Sequence, residues 1–133
     1  MFHPICIIDD DEDVRDVISY ALEFEGYKTL NFENPRIALK SLEVMDVKDW
    51  PALIILDYFM PEMNGLEFVA YLKKNHPTSL ATIPVAFSSA YALKEDQILP
   101  EGVFLMQKPF HLETLLSVAK KHIDNAQINL PFV

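Results

Sequence analysis

Cysteine occurs once in these 133 residues, so disulfides do not build the fold, and the one thiol, Cys6, sits inside the apolar run PICII where burial is expected. Long hydrophobic runs are missing too. Nothing approaches the ~20 apolar residues that span a bilayer, and the opening MFHPICII has no basic n-region or cleavage site. The chain therefore reads as soluble and cytoplasmic, with no membrane insertion. Positive charge is scarce: 11 basic residues face 20 acidic ones, for a net charge of −9. That balance argues against a surface for phosphate backbones, and no direct nucleic-acid contact is expected. Internal repeats, low-complexity stretches and linkers are also lacking. A chain of this length forms one domain and buries roughly two-thirds of its unfolded surface. With 50% of its residues apolar, it has the material for a core and is not disordered.

What is present is a regular alternation of strand and helix. Residues 4–8 (PICII) read as a strand, and 11–25 as a helix with Val14, Ile18, Ala21 and Leu22 at helical spacing and Gly26 as its C-cap. Residues 27–32 form a second strand. Asn34-Pro35 opens a helix whose apolar stripe takes in Ile37, Ala38, Leu42 and Met45, and Trp50-Pro51 closes that unit. The run ALIIL at 52–56 is a strand buried on both faces. A helix follows over 66–75, with Leu66, Phe68, Val69 and Leu72 toward the core, and His76-Pro77 ends it. Residues 83–87 give a fourth strand, 92–99 a short weak helix, 103–106 a fifth strand and 112–125 the last helix. Five βα units call for parallel strands, right-handed crossovers and helices on both sheet faces, so the class is doubly wound α/β. The domain is expected over 1–125, with 126–133 as a C-terminal tail.

Ligands in such folds bind beyond the carboxyl ends of the strands. The strand ends here deliver Asp9 and Asp10, Asp57, Ser88 and Ser89, and, through Gln107, Lys108. Taken alone, DDDED (9–13) reads as a helix N-terminus favoured by the macrodipole, the serines as caps and Lys108 as a solvated loop residue. Capping does not account for Asp9, Asp10 and Asp57 at adjacent strand ends, where like charges repel by kilocalories. A divalent cation resolves that repulsion. Oxygen ligands in small number suit Mg²⁺, with Mn²⁺ as the alternative ion, and point to phosphoryl chemistry. Lys108 then supplies a mobile charge for a phosphoryl oxygen, and a serine hydroxyl a hydrogen bond to another. No cysteine or serine nucleophile with a paired histidine stands out. A carboxylate nucleophile forming an acyl phosphate is the remaining candidate, and Asp57 is the best placed.

In IIDDDEDVR (7–15), ILDYFMPEMNG (55–65), PVAFSSA (84–90) and QKPF (107–110), the chain resembles the receiver domain of two-component response regulators, the chemotaxis-regulator type included. These motifs span nearly the whole chain in the family's order. The resemblance implies a five-stranded (βα)5 flavodoxin-like sheet with strand order 2-1-3-4-5. It implies phosphorylation of Asp57 from a phosphohistidine on a sensor histidine kinase or histidine phosphotransferase. It implies Mg²⁺ bound by Asp9, Asp10, Asp57 and the backbone carbonyl of Phe59, with Asp9 acting mainly through a bound water. Ser89, followed by the small Ala90, becomes the switch hydroxyl, Ala90 gives the phosphoryl group a backbone contact, and Lys108 pairs with it beside a cis peptide at Pro109. Gly65 matches the residue that lets the loop turn into the next helix. The family's signalling role carries no independent substrate turnover.

The sequence departs from the family at two places. Leu105 stands at the usual aromatic switch position, and the stretch from Ser89 to Lys108 is short. Phe59 and Tyr91 occupy positions that govern access of water to the phosphoryl group, and two bulky rings there imply a slowly hydrolysing phosphoaspartate. A chain starting at Met1 without an effector domain is expected to be a stand-alone receiver acting on a downstream protein. The alternatives are a receiver from a hybrid histidine kinase or longer regulator, a degenerate receiver that only binds, or, from another class, a Mg²⁺-dependent aspartyl phosphohydrolase. The last of these usually has an acid two residues after its nucleophile, where this chain has Phe59.

Overall fold

Short runs of β-branched and aliphatic residues form the centre of the molecule, because a strand covered by helices on both faces can carry apolar side chains at successive positions. The computed structural model describes residues 3–90 and 98–129, the stretch 123–129 by its backbone alone. The strands are β1 (Ile5–Ile8), β2 (Thr29–Phe32), β3 (Leu53–Asp57), β4 (Val85–Ser89) and β5 (Val103–Gln107). They form one sheet in the order β2-β1-β3-β4-β5, with every neighbouring pair parallel. Fold class and strand order are those expected from the sequence.

Helices α1 (Glu12–Phe24), α2 (Pro35–Val44), α3 (Gly65–Asn75) and α4 (Leu112–Asn129) join or follow the strands. Alternate residues of each strand divide the core in two. Cys6, Ile8, Ile54, Leu56 and Phe87 pack with Leu39, Leu42, Phe68 and Leu72 from α2 and α3. Ile5, Ile7, Leu53, Ile55 and Met106 pack with Ile18, Leu22, Leu115 and Ala119 from α1 and α4. Cys6 is fully buried, and burial pushes its thiol pKa far above the ordinary range.

Local chemistry fixes the helix ends. Asp11 caps α1 by accepting from the amides of Asp13 and Val14. At its other end the Gly26 amide donates to the Glu23 carbonyl and the Tyr27 amide to that of Leu22, the Schellman pattern, with Gly26 at φ +94°. Asn34 caps α2 ahead of Pro35. Asn64 and Glu67 make a reciprocal capping box at the start of α3.

Several element boundaries differ from expectation. β4 runs on through Ser88 and Ser89, because its ladder continues on both sides, Asp57 opposite Ser88 and Ser89 opposite Gln107. Helix α4 extends to Asn129 instead of ending at 125. Ile37 is 49% exposed and lies off the core stripe of α2, which is Pro35, Ala38, Leu39 and Leu42. Of the short helix expected over 92–99, residues 92–97 lie outside the described residues, and Ile98 and Leu99 belong to neither helix nor strand. Among the described residues no helix is long and apolar enough to cross a membrane.

Candidate functional site

β1 and β3 are adjacent and in register, Ile8 opposite Leu56, so the next residue on each strand, Asp9 and Asp57, emerges at the same sheet edge. Asp10 follows directly. Carboxylate oxygens of Asp9, Asp10 and Asp57 all lie within 4.8 Å of one another. The three differ in environment: Asp9 is buried, Asp57 half-buried and Asp10 exposed.

Asp9 is held on every side. Its amide donates to the Phe32 carbonyl at 3.2 Å, continuing the β1–β2 ladder. Its Oδ1 accepts from the Asp11 amide at 2.9 Å, and its Oδ2 accepts from Lys108 Nζ at 3.1 Å. The Arg15 guanidinium donates to its carbonyl oxygen at 2.6 Å. A carboxylate only 2% exposed is tolerated because both oxygens are bonded and one faces a cation.

Lys108 reaches the cluster from the end of β5. Its amide donates to the Ser89 carbonyl at 2.6 Å, which fixes its backbone against β4, and the following Lys108–Pro109 peptide is cis. Its Nζ lies 3.1 Å from Asp9 but 3.7 Å from Asp57, so the direct bond goes to Asp9 and Asp57 feels a longer-range attraction. One lysine against three carboxylates leaves the cluster under-neutralised. The Asp57 pKa accordingly rises from 3.8 to about 6, chiefly through burial and then through the negative charge of Asp9, with Lys108 and a hydrogen bond from the Phe59 backbone pulling it down. Oxygen-only donors carrying an excess of negative charge suit a hard dication, and the cluster fits Mg²⁺.

The remaining expected residues fall at different distances from this cluster. Ser88 and Ser89 are both fully buried, and among the described residues the Ser88 hydroxyl has no hydrogen-bond partner. Phe59 stands at the rim, 53% exposed, with its ring edge-on to Tyr58 at 4.8 Å. Ala90 lines an apolar groove of about 630 Å³ together with Val14, Val17, Lys108 and Phe110. Leu105 is partly buried and packs on the α2/α3 side of the core. Tyr91 lies outside the described residues.

Gly65 serves a different need from the one expected. The left-handed position in the loop after β3 is Glu62, at φ 74°. Gly65 is the first residue of α3, and a Cβ on it would lie 2.8 Å from Phe87 Cε1 and 3.1 Å from Tyr58 Cδ2. Glycine is there for close approach to two rings, with no unusual torsion. Sequence reasoning also passed over Arg15, whose contact with Asp9 spans six residues. The signal available was a lone basic residue in the acidic segment 9–16.

A family model described as response regulator receiver domain matches residues 5–120. The response regulator receiver protein CpdR of Brucella abortus is 31% identical over 117 residues, covering 88% of this chain and 93% of that protein. The phosphate regulon transcriptional regulatory protein PhoB of Escherichia coli is 29% identical over 123 residues, covering 90% of this chain and 51% of PhoB. Two further curated relatives are likewise longer, the chain spanning 19% of one and 46% of the other. Among solved structures, the signal receiver domain of a signal transduction histidine kinase from Syntrophus aciditrophicus superposes with a TM-score of 0.79 at 26% identity, over 98% of this chain and 97% of that one.

Proposed function

The chain belongs to the response regulator receiver domain family of two-component signalling, and from that membership we propose that it accepts a phosphoryl group on Asp57 from a phosphohistidine of a partner protein. The observation that carries the reading is the charge arrangement around Asp57, a half-buried carboxylate beside Asp9 and Asp10 and 3.7 Å from Lys108. A sensor histidine kinase or a histidine phosphotransferase is the donor, and the chain then works in the cytoplasm.

An oxygen of Asp57 attacks phosphorus, the new O–P bond forming as the P–N bond to the donor imidazole breaks and the electron pair leaves with that nitrogen. Asp57 has to be ionised for this, and Lys108 together with the Phe59 backbone hydrogen bond favours the ionised form. Asp9, Asp10, Asp57 and the Phe59 carbonyl would hold Mg²⁺, which when bound supplies neutralisation of the charge gathered on the phosphoryl oxygens. Lys108 transfers part of its attraction from Asp9 to a phosphoryl oxygen. The Ser89 hydroxyl and the Ala90 amide serve two others.

Phosphorylation replaces a charge of −1 with one of about −2 and adds acceptor oxygens. Drawing Ser89 and Lys108 toward them shifts the β4 and β5 ends, and Leu105, three residues before Lys108, moves with its strand. Taking the population from roughly 1:99 to 99:1 requires about 5.5 kcal/mol of preference, within reach of several charge-assisted hydrogen bonds. Phe59, at the rim, would hinder water from reaching the phosphoryl group, and Tyr91 is assigned the same part by its place in the family's pattern alone, so the phosphoaspartate is proposed to decay slowly.

Intact mass after incubation with Mg²⁺ and acetyl phosphate tests this reading. One phosphoryl adduct is expected on the wild type, and none on Asp57→Ala or in the presence of a chelator. An adduct that persists in Asp57→Ala, or no adduct on folded wild type with either acetyl phosphate or a phosphorylated histidine kinase, would refute the proposal.

A further inference from the structure

Arg15 is bound to the site through the backbone. Its Nη1 donates to the carbonyl oxygen of Asp9 at 2.6 Å, across six residues and from within α1. That carbonyl belongs to the peptide plane joining Asp9 to Asp10, two of the three carboxylates that cluster within 4.8 Å. The peptide's two ends are controlled unequally. Asp9 is fixed by its amide bond to Phe32 and by both of its carboxylate oxygens. Asp10 is exposed, and the peptide before it is its tether to the fixed Asp9.

We propose that Arg15 is a positioning residue for the metal site, holding the Asp9–Asp10 peptide so that the Asp10 carboxylate points into the cluster. This rests on the phosphoacceptor reading given above. The guanidinium suits the task because its planar fork stays charged and directs its donors rigidly. Its anchorage is firm as well. The Arg15 amide donates to the Asp11 carbonyl at 3.0 Å, so the arm springs from the first turn of α1 immediately after the capping residue. Glu12, Asp16 and Glu33 line the same groove between α1 and the end of β2, which gives the guanidinium acidic surroundings.

The sign of the effect separates positioning from mere proximity. A guanidinium bonded to the Asp9 carbonyl carries positive charge that repels a dication at the adjoining cluster, so as a bystander charge its removal would tighten Mg²⁺ binding. As the holder of the Asp9–Asp10 peptide, its removal loosens one ligand and weakens binding.

Calorimetric titration of Mg²⁺ into wild type, Arg15→Gln and Asp16→Asn at fixed ionic strength tests this, with denaturant unfolding of each in chelator to read the fold alone. Arg15→Gln should raise the Mg²⁺ dissociation constant about five- to tenfold, while Asp16→Asn, in the same groove, changes it less than twofold. An unchanged or lowered constant in folded Arg15→Gln overturns the inference and leaves the phosphoacceptor reading intact. Failure of the wild type itself to bind Mg²⁺ removes both. Should Arg15→Gln not fold, Arg15→Lys is titrated in its place, and wild-type affinity there refutes the need for the directed guanidinium bond.

Discussion

Asp57 carries the main electrostatic tension of the molecule. Its pKa of about 6 in the folded protein, against 3.8 as its ordinary value, means that metal-free folded protein binds more protons than the unfolded chain between those values. The contribution of this group to stability is therefore greatest below about pH 4, falls as pH rises through 6, and levels off above. Taken in full, such a difference corresponds to about 3 kcal/mol; water at this half-open rim screens it to on the order of 1–2 kcal/mol. Asp57→Asn is expected to stabilise metal-free protein by that amount at pH 7 and by nothing at pH 4, as read from urea unfolding at the two pH values. Adding Mg²⁺ should shrink the gap, because the wild type then gains a ligand that the variant holds poorly. Gly65 makes a separate prediction at the same scale. Alanine there would drive a methyl to 2.8 Å from Phe87, overpacking worth about 1–3 kcal/mol, and thermal denaturation should show the loss even though alanine is the better helix former. The sequence marked Gly65 as special for a turn, where the structure needs it for close approach. A torsional need shows in local turn chemistry, whereas contact with a ring on β4 depends on the packing of three elements. The position that does adopt positive φ is Glu62, a residue with no turn signature of its own.

At the scale of elements, the strands and most helices were legible because their signals are local. Apolar runs identified β1 and β3, and caps such as Asp11, Asn34 and Gly26 stood where the text of the chain put them. What local signals missed were boundaries decided by neighbours. β4 continues through two serines because strands on both sides supply ladder partners, a cooperative effect that no residue of β4 announces. Ile37 likewise fits a helical stripe by spacing but is left outside, since Leu39 and Leu42 already fill the space over the sheet. Helix α3 is tied to the loop after Asp57 by its capping box. Asn64→Ala should cost about 1 kcal/mol of unfolding free energy, and hydrogen exchange should quicken at the amides of Glu67 and its neighbours in the first turn before it changes in β3.

The whole molecule is built on a sheet whose most protected strand, β1, lies one in from the β2 edge. All of Ile5–Ile8 is inaccessible to solvent, flanked by β2 and β3, so the Cys6 thiol can meet a reagent only when the sheet opens. Reaction of Cys6 with a thiol reagent is thus expected to follow global unfolding, with a rate that tracks denaturant as far-UV circular dichroism does. Labelling at native rates independent of denaturant would show local opening of β1 instead. The candidate site was legible at this scale too, because parallel topology sends every strand's carboxyl end to one edge; the residues Asp9, Asp10, Asp57 and Lys108 could be named from order alone. Unequal sharing of the lysine, closer to Asp9 than to Asp57, could not, since it depends on sub-ångström placement.

The bond from Lys108 to Asp9 joins residues separated by 99 positions. Synthesis runs from the first residue to the last, so the acidic groups of the cluster leave the ribosome long before the cation that offsets them. Until β5 docks on β4, the three carboxylates face one another without Lys108, and their repulsion opposes closing the sheet edge. The last strand thus brings the counter-charge for the first: a chain clipped before Lys108 would keep its acidic cluster without that cation, and closing the sheet edge would cost more.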